Sequence, residues 1–320
     1  MTIRDDNRAR VPGPVGSIVG AAAGRIPGPL GFQVVIMAPA PVAGATKILT
    51  VMPPPTDDQD NKDVHEVTWP LFNPSKKGPV HSDVKQAPSL ANCPVAAILA
   101  AFASTAVGRT VIQGMVSPKT GNVMTDLSGL PPDTLTNPPM DNTTNPPKPT
   151  TVISSSRYFT VKLPGGAIDV SDVLYTNDGQ HNSWSLLYMR DPSENSIWAA
   201  IIEKALAVQL KSYENFDALN LSANDFWEKV TGAKPGGIEI KDDTPLSKIT
   251  DAAKASTRVP TIGASKPNGT DVKIVTEFHG FAMMGLEGAK IKLYDPAQAK
   301  MILISPTDFR HDFQAILFRR

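Results

Sequence analysis

From Pro94 to Val107 the chain is apolar on nearly every side, with Val95, Ile98, Leu99 and Phe102 as its larger residues and alanines filling the rest. A helix that is apolar all round is a buried helix. Proline directly after Cys93 suits the first turn, where its missing N–H would have had no intrahelical partner. Trp198, Ile201, Ile202, Ala205 and Leu206 recur at helical spacing and predict a helix over Ile197 to Leu210. Ala223 to Thr231 predicts a shorter helix closed by Gly232. Tyr158 to Leu163 alternates as a strand and ends at Pro164-Gly165-Gly166, and Ile168 to Tyr175 and Ser183 to Arg190 read as further strands. From Val272 the pattern turns to strand: Val272 to Phe278, Phe281 to Leu286 and Lys290 to Tyr294 predict an antiparallel meander. Lys300 to Ser305 follows, and Phe309 and Phe313 begin the last element. Ser128 to Thr151, rich in Pro, Asn and Thr, predicts an exposed loop.

These patterns divide the chain into three stretches. Residues 1–80 form a Pro/Gly-rich N-terminal extension, in which Val11-Pro12-Gly13-Pro14-Val15-Gly16 is echoed by Ile26-Pro27-Gly28-Pro29-Leu30-Gly31. Within it Phe32 to Met37 and Lys47 to Met52 read as short strands of one hairpin, with Pro39 to Ala45 as its loop. Pro53-Pro54-Pro55 and the polar Asp57 to Asp63 read as a linker. Residues 81–235 predict a helix-rich lobe and residues 236–320 a strand-rich lobe, an α+β chain overall.

Composition narrows the function classes. The 31 basic and 31 acidic side chains balance, so there is no electrostatic reason to expect a nucleic-acid partner. A single cysteine excludes an intramolecular disulfide and a cysteine-rich zinc site. The first residues lack the apolar stretch of a secretory signal, which predicts a protein cytoplasmic as synthesised, with export by a signal-independent route left open. Between Val11 and Thr50 only Arg25 and Lys47 are charged, but Pro27, Gly28, Pro29, Pro39 and Pro41 interrupt the run, so no membrane span is expected.

The lone Cys93 stands at the mouth of the apolar helix, with Gln86 seven positions before it and His279 and Asp295 far downstream. A helix N-terminus and a nearby imidazolium each stabilise a thiolate. His279, between two apolar strands and followed by Gly280, is the best candidate base among the five histidines. Asp295, sixteen residues later at a strand end, is placed to hold the other ring nitrogen and so fix the tautomer. The Cys93 amide and the Gln86 side-chain NH₂ are candidate donors to an oxyanion. Each residue has a plainer role available: an inert buried thiol, a structural histidine, a turn aspartate.

The segments Asp83-Val84-Lys85-Gln86 through Cys93, Trp198-Ala199-Ala200-Ile201-Ile202-Glu203-Lys204-Ala205-Leu206-Ala207 with Ser212-Tyr213-Glu214, Ala223 to Gly232, His279-Gly280-Phe281-Ala282, Leu293-Tyr294-Asp295-Pro296 and Ser305 to Phe318 together resemble the calpain-type cysteine peptidases of the papain-like group. The resemblance runs from about Ser82 to the C-terminus. It implies a papain-like two-lobed fold, with a helical lobe built on a central nucleophile helix and an antiparallel β lobe. It also implies Cys93 as nucleophile, His279 as base, Gln86 as oxyanion donor and Asp295 where the family usually has Asn. Gln86 lies one residue farther from the cysteine than is usual, Asn92-Cys93-Pro94 replaces Asp-Cys-aromatic, and Ala297 stands where a tryptophan normally shields the imidazole, which predicts a wetter site.

Three readings follow. The first is an endopeptidase acting on protein or peptide substrates through a thioester. The second is a transglutaminase-like acyl transferase or deamidase on the same Cys-His-Asp set, and the third a non-catalytic binding protein on this scaffold. No cofactor is called for. Family calpains often depend on calcium, but Asp57-Asp58-Gln59-Asp60-Asn61-Lys62-Asp63 lacks the glycine and distal glutamate of an EF-hand loop, and the calmodulin-like domain of animal calpains has no counterpart. Residues 1–80 leave open a removable pro-segment, a docking region, or an address for a secretion machine.

Overall fold

Cys93 opens the central helix. Asn92 precedes it and Pro94 sits in its first turn, and nine of its next ten residues are buried. The computed structural model describes residues 47–56, 62–87, 90–131, 134–135, 138–177, 185–267 and 275–320. By backbone contacts the chain divides into residues 1–43 and residues 44–320, and all described residues belong to the second unit. The expected strand Phe32 to Met37, the Pro-Gly echoes, the loop Pro39 to Ala45 and the acidic residues Asp57 to Asn61 lie outside the described residues.

In chain order the elements are β1 (Ile48–Val51), β2 (Lys62–Glu66), α1 (Cys93–Ser104), α2 (Ala106–Met115), β3 (Val116–Asp126), β4 (Met140–Asp141), β5 (Lys148–Pro149), β6 (Val152–Leu163), β7 (Gly166–Ser171) and β8 (Val173–Asn177). Then come α3 (Trp198–Leu210), α4 (Asn215–Ala218), α5 (Ala223–Thr231), β9 (Gly236–Glu239), α6 (Leu246–Ala255), β10 (Thr261–Ser265), β11 (Gly280–Glu287), β12 (Lys290–Asp295), β13 (Lys300–Ile304), α7 (Pro306–Asp312) and β14 (Phe313–Phe318). The described chain is thus mixed α+β.

The helix that the apolar run predicts to Val107 stops at Ser104. Thr105 is extended, its hydroxyl accepts the Gly108 N–H at 3.0 Å, and α2 leaves at 116°. Gly108 makes the bend possible: a Cβ there would lie 2.1 Å from the Phe102 carbonyl oxygen. Among the described residues no single helix is long and apolar enough to cross a membrane.

Among the described residues there are two larger sheets and two two-stranded ones, β2-β8 and β4-β5. The first, in the order β1-β3-β6-β7, runs through the stretch expected to be helix-rich. Its longest strands, β3 and β6, pair antiparallel across a bulge between Thr120 and Val123. Lys47 to Met52 does supply a strand, and its described neighbour is β3, in parallel. Ser183 to Arg190 does not form the expected strand. Among its described residues only isolated bridges occur, Leu186 to Thr176 and Arg190 to Lys85. There the backbone of Arg190 exchanges two hydrogen bonds with Lys85, so the segment serves as a brace for the loop before Cys93.

The second sheet has the order β13-β12-β11-β10-β14-β9. Its strand β11 is buried on both faces from Gly280 to Met283, which is why it reads as a continuous apolar run rather than an alternating one. Phe281, Met283, Ile291 and Leu293 point into a core with α6 and α7. Ala282 and Tyr294, with Ile262 from β10, join the core built around α1 and α3. The meander begins with β10, not with the expected strand from Val272 to Phe278. Residues 275–279 form a bend and turn, and residues 272–274 lie outside the described residues.

Candidate active site

The loop before Cys93 is pinned at three points. Asp83, fully buried, accepts hydrogen bonds from the Trp198 indole N–H at 3.0 Å, the Val80 N–H at 3.1 Å and the Lys76 ammonium at 3.2 Å. This fixes the loop to the start of α3. The Tyr294 hydroxyl donates to the Val84 carbonyl at 2.8 Å, and the Gln86 N–H donates to the Pro296 carbonyl at 2.9 Å, tying the loop to the end of β12. The Arg190 brace is the third.

Behind Cys93, Asn92 is wholly buried and its amide donates to Glu203. Glu203 also accepts the Met189 N–H at 2.8 Å. Burial raises the Glu203 carboxyl to about 8, against the pull of these donors and of Arg190, so it holds a proton at neutral pH. Its neighbour Lys204 is turned away toward the carbonyls of Ser171 and Val173 and the Ser171 hydroxyl, and burial lowers it to about 7.

Cys93 itself is partly exposed. Its Sγ lies 4.0 Å from the carbonyl oxygen of Phe278, the residue before His279. The contact is close because Gly280 lacks a side chain: a Cβ there would come within 3.1 Å of both the Cys93 carbonyl and the Ala97 methyl. His279 is held from its backbone by Ser265. The Ser265 hydroxyl accepts the His279 N–H at 2.8 Å and donates to the Thr276 carbonyl at 2.7 Å, while the Ser265 N–H donates to the His279 carbonyl at 2.9 Å.

The β11–β12 register, with Ala282 opposite Tyr294, carries Asp295 to within two residues of His279. His279 Nε2 and Asp295 Oδ1 are 3.0 Å apart. The same oxygen accepts the backbone N–H of Ala297 at 2.9 Å and of Gln298 at 3.4 Å. Burial works against the charge on each partner, yet the pairing prevails. His279 rises to about 9 through its hydrogen bonds to Asp295 and the Cys93 side chain and the charges of both, and Asp295 falls below its ordinary range. With Nε2 engaged by Asp295, Nδ1 is the ring nitrogen left to face the thiol. The structure therefore brings Cys93, His279 and Asp295 together.

Gln86 sits in the same loop, but its NH₂ donates to the Leu90 carbonyl at 3.0 Å, which leaves one amide hydrogen without an acceptor among the described residues. Its Oε1 is buried without a partner among the described residues.

No protein-family model matches the chain, and no curated protein matches it.

The expectation of a wetter site is corrected. Asp295 is fully buried and His279 only 7% exposed. Phe281 meets the imidazole in a T-shaped pair, with ring centroids 4.8 Å apart at 87°. Reading the sequence missed this ring, the Ser265 clamp, the Asp83–Trp198 anchor and the Asn92–Glu203 pair. A signal for the last was present: two adjacent charged residues, Glu203 and Lys204, inside an otherwise apolar helix. Among the described residues no group of three or more His, Cys, Asp or Glu side chains is arranged to hold a metal ion.

Proposed function

We propose that this chain is a calpain-like cysteine endopeptidase with a papain-like two-lobed fold. The observation that carries the reading is a partly exposed thiol at a helix start, beside a histidine held near pKa 9 by a buried aspartate. That is the arrangement nucleophilic acyl transfer requires: nucleophile, base and a third group that orients the base.

In this reading the Cys93 sulfur attacks a peptide carbonyl as thiolate, with the proton resting on His279. The tetrahedral oxyanion takes hydrogen bonds from the Cys93 N–H, which as a first-turn donor has no intrahelical acceptor, and from the uncommitted amide hydrogen of Gln86. His279 then protonates the leaving amine. Next it accepts a proton from water as the water oxygen attacks the thioester, and the carboxylic acid product leaves with the thiol restored. Asp295 keeps Nε2–H engaged throughout, so the ring cannot present the wrong nitrogen.

The test is wild type against Cys93→Ala on a casein-like protein, with and without calcium, followed by mass spectrometry. New peptide termini with wild type only are expected, and intact protein in every lane would refute the proposal. The carboxylate at 295 favours acyl transfer or deamidation of glutamine side chains as a second reading, because Cys-His-Asp is the set that such enzymes use. In that case mass shifts of about one unit without fragments would appear in the same spectra.

A further inference from the structure

Phe278 breaks two local preferences at once. It is the most exposed large apolar side chain among the described residues, at 75%. It also holds a left-handed backbone, φ 48°, a conformation that glycine adopts freely and other residues rarely. A single exposed apolar side chain is ordinary on a protein surface, and a single left-handed residue is common in turns. Their conjunction at one residue, whose carbonyl oxygen is 4.0 Å from the Cys93 sulfur, is not explained by folding. The backbone there is overdetermined. The Phe278 N–H donates to the Lys266 carbonyl at 2.8 Å, and the next residue is clamped by Ser265 on both its N–H and its carbonyl. A clamp of this kind sustains strained backbone, and such strain concentrates where a site needs a group held in place. The segment is rigid where it meets the thiol, while the ring it presents stays in water.

We infer that Phe278 is a specificity-determining residue: its ring is the apolar platform on which a substrate places an aromatic or large aliphatic side chain next to the acyl carbon that Cys93 attacks. This rests on the acyl-transfer reading of the site. An offset or edge-on ring pair would gain from both burial and ring geometry, whereas a small or anionic substrate side chain would gain little from the ring.

The test separates the ring's role from turnover. Full-length wild type, Phe278→Ala and Phe278→Leu are labelled at Cys93 with two chloroacetamides, one N-benzyl and one N-hydroxyethyl. In each case the sulfur displaces chloride, and intact mass reports the rate. Wild type should favour the benzyl probe by roughly three- to tenfold beyond the ratio measured on free cysteine. That preference should vanish in Phe278→Ala and survive in large part in Phe278→Leu. An equal benzyl preference in wild type and Phe278→Ala would overturn the inference, as would labelling by neither probe. Peptide hydrolysis by the same wild-type sample bears only on the hydrolase reading, so a ring-dependent labelling ratio without cleavage would sink that reading and leave the platform standing.

Discussion

Replacing Asp295 by Asn removes one charge and almost no volume. The site accepts the shape: all three hydrogen bonds to this side chain fall on Oδ1, which an amide oxygen reproduces, and Oδ2 has no partner among the described residues. What changes is the imidazole. His279 sits at about 9 against an ordinary 6.5, which favours the imidazolium by about 3 kcal/mol. Asp295 and Cys93 both raise it against the effect of burial, and a carboxylate at hydrogen-bond range is generally worth about 1–3 pKa units. Burial acts the other way and will dominate once the charge is gone. The His279 midpoint should therefore fall by at least one pH unit in Asp295→Asn. The assay is the His279 ring C–H resonance followed against pH, assigned with His279→Gln. The linkage has a definite sign. A folded pKa raised above the unfolded one gives stability that is complete below about 6.5 and lost as pH rises through about 9. Denaturant unfolding at pH 7 should thus show Asp295→Asn weaker by about 1–3 kcal/mol, with the gap closing above pH 9. A wild-type midpoint near 6.5, or one unmoved by the substitution, would refute the charge pairing described here.

Gly280→Ala would press a methyl against the Cys93 carbonyl and Ala97, each 3.1 Å away, and push the imidazole from the thiol; kcat/KM should fall about tenfold or more, read by initial rates on the best substrate peptide. Gly108→Ala meets the Phe102 carbonyl at 2.1 Å and cannot be absorbed by a side chain, so α1 and α2 must splay; calorimetry should show a loss of about 3 kcal/mol, and an unchanged Tm would contradict the bend as described. Glu203, raised from 4.5 to about 8, contributes stability that is full below 4.5 and drains away as pH climbs through about 8. Glu203→Gln should flatten that slope in pH-dependent denaturant titrations and leave the mutant the more stable protein at pH 9.

Helices with strong periodicity were legible nearly to the residue. The span Ala223 to Thr231 with Gly232 in a left-handed cap is one case, and Trp198 to Leu210 another. In both, burial of one element decides the pattern. β11 was legible as a nearly unbroken apolar run, and β12 and β13 by apolar residues that follow or alternate with exposed ones. β3 was hidden because most of Ser117 to Asn122 faces water and the stretch carries Pro118, Gly121 and the bulge. β10, Thr-Ile-Gly-Ala-Ser, was hidden because its small residues exist to admit Phe313 and Phe309 against Gly263, a demand that arises only in three dimensions. Cys93, His279 and Asp295 could be picked out by residue type and position. Their supports could not, since Ser265 acts through a backbone hydrogen bond and Phe281 looks like any other core aromatic until its edge is seen against the ring.

Phe281 has a second neighbour. Its ring meets Phe313 at 5.5 Å, and Phe313 stacks on Phe309 at 3.9 Å and 7°. Three phenylalanine rings thus run from the imidazole to α7, through the core that the sheet shares with α6 and α7. A substitution at Phe309 or Phe313 changes the wall against which the base leans while leaving every group around the thiol in place. On the acyl-transfer reading, strength of the base and choice of substrate can then drift apart over generations, one tuned from behind the sheet and the other from its front.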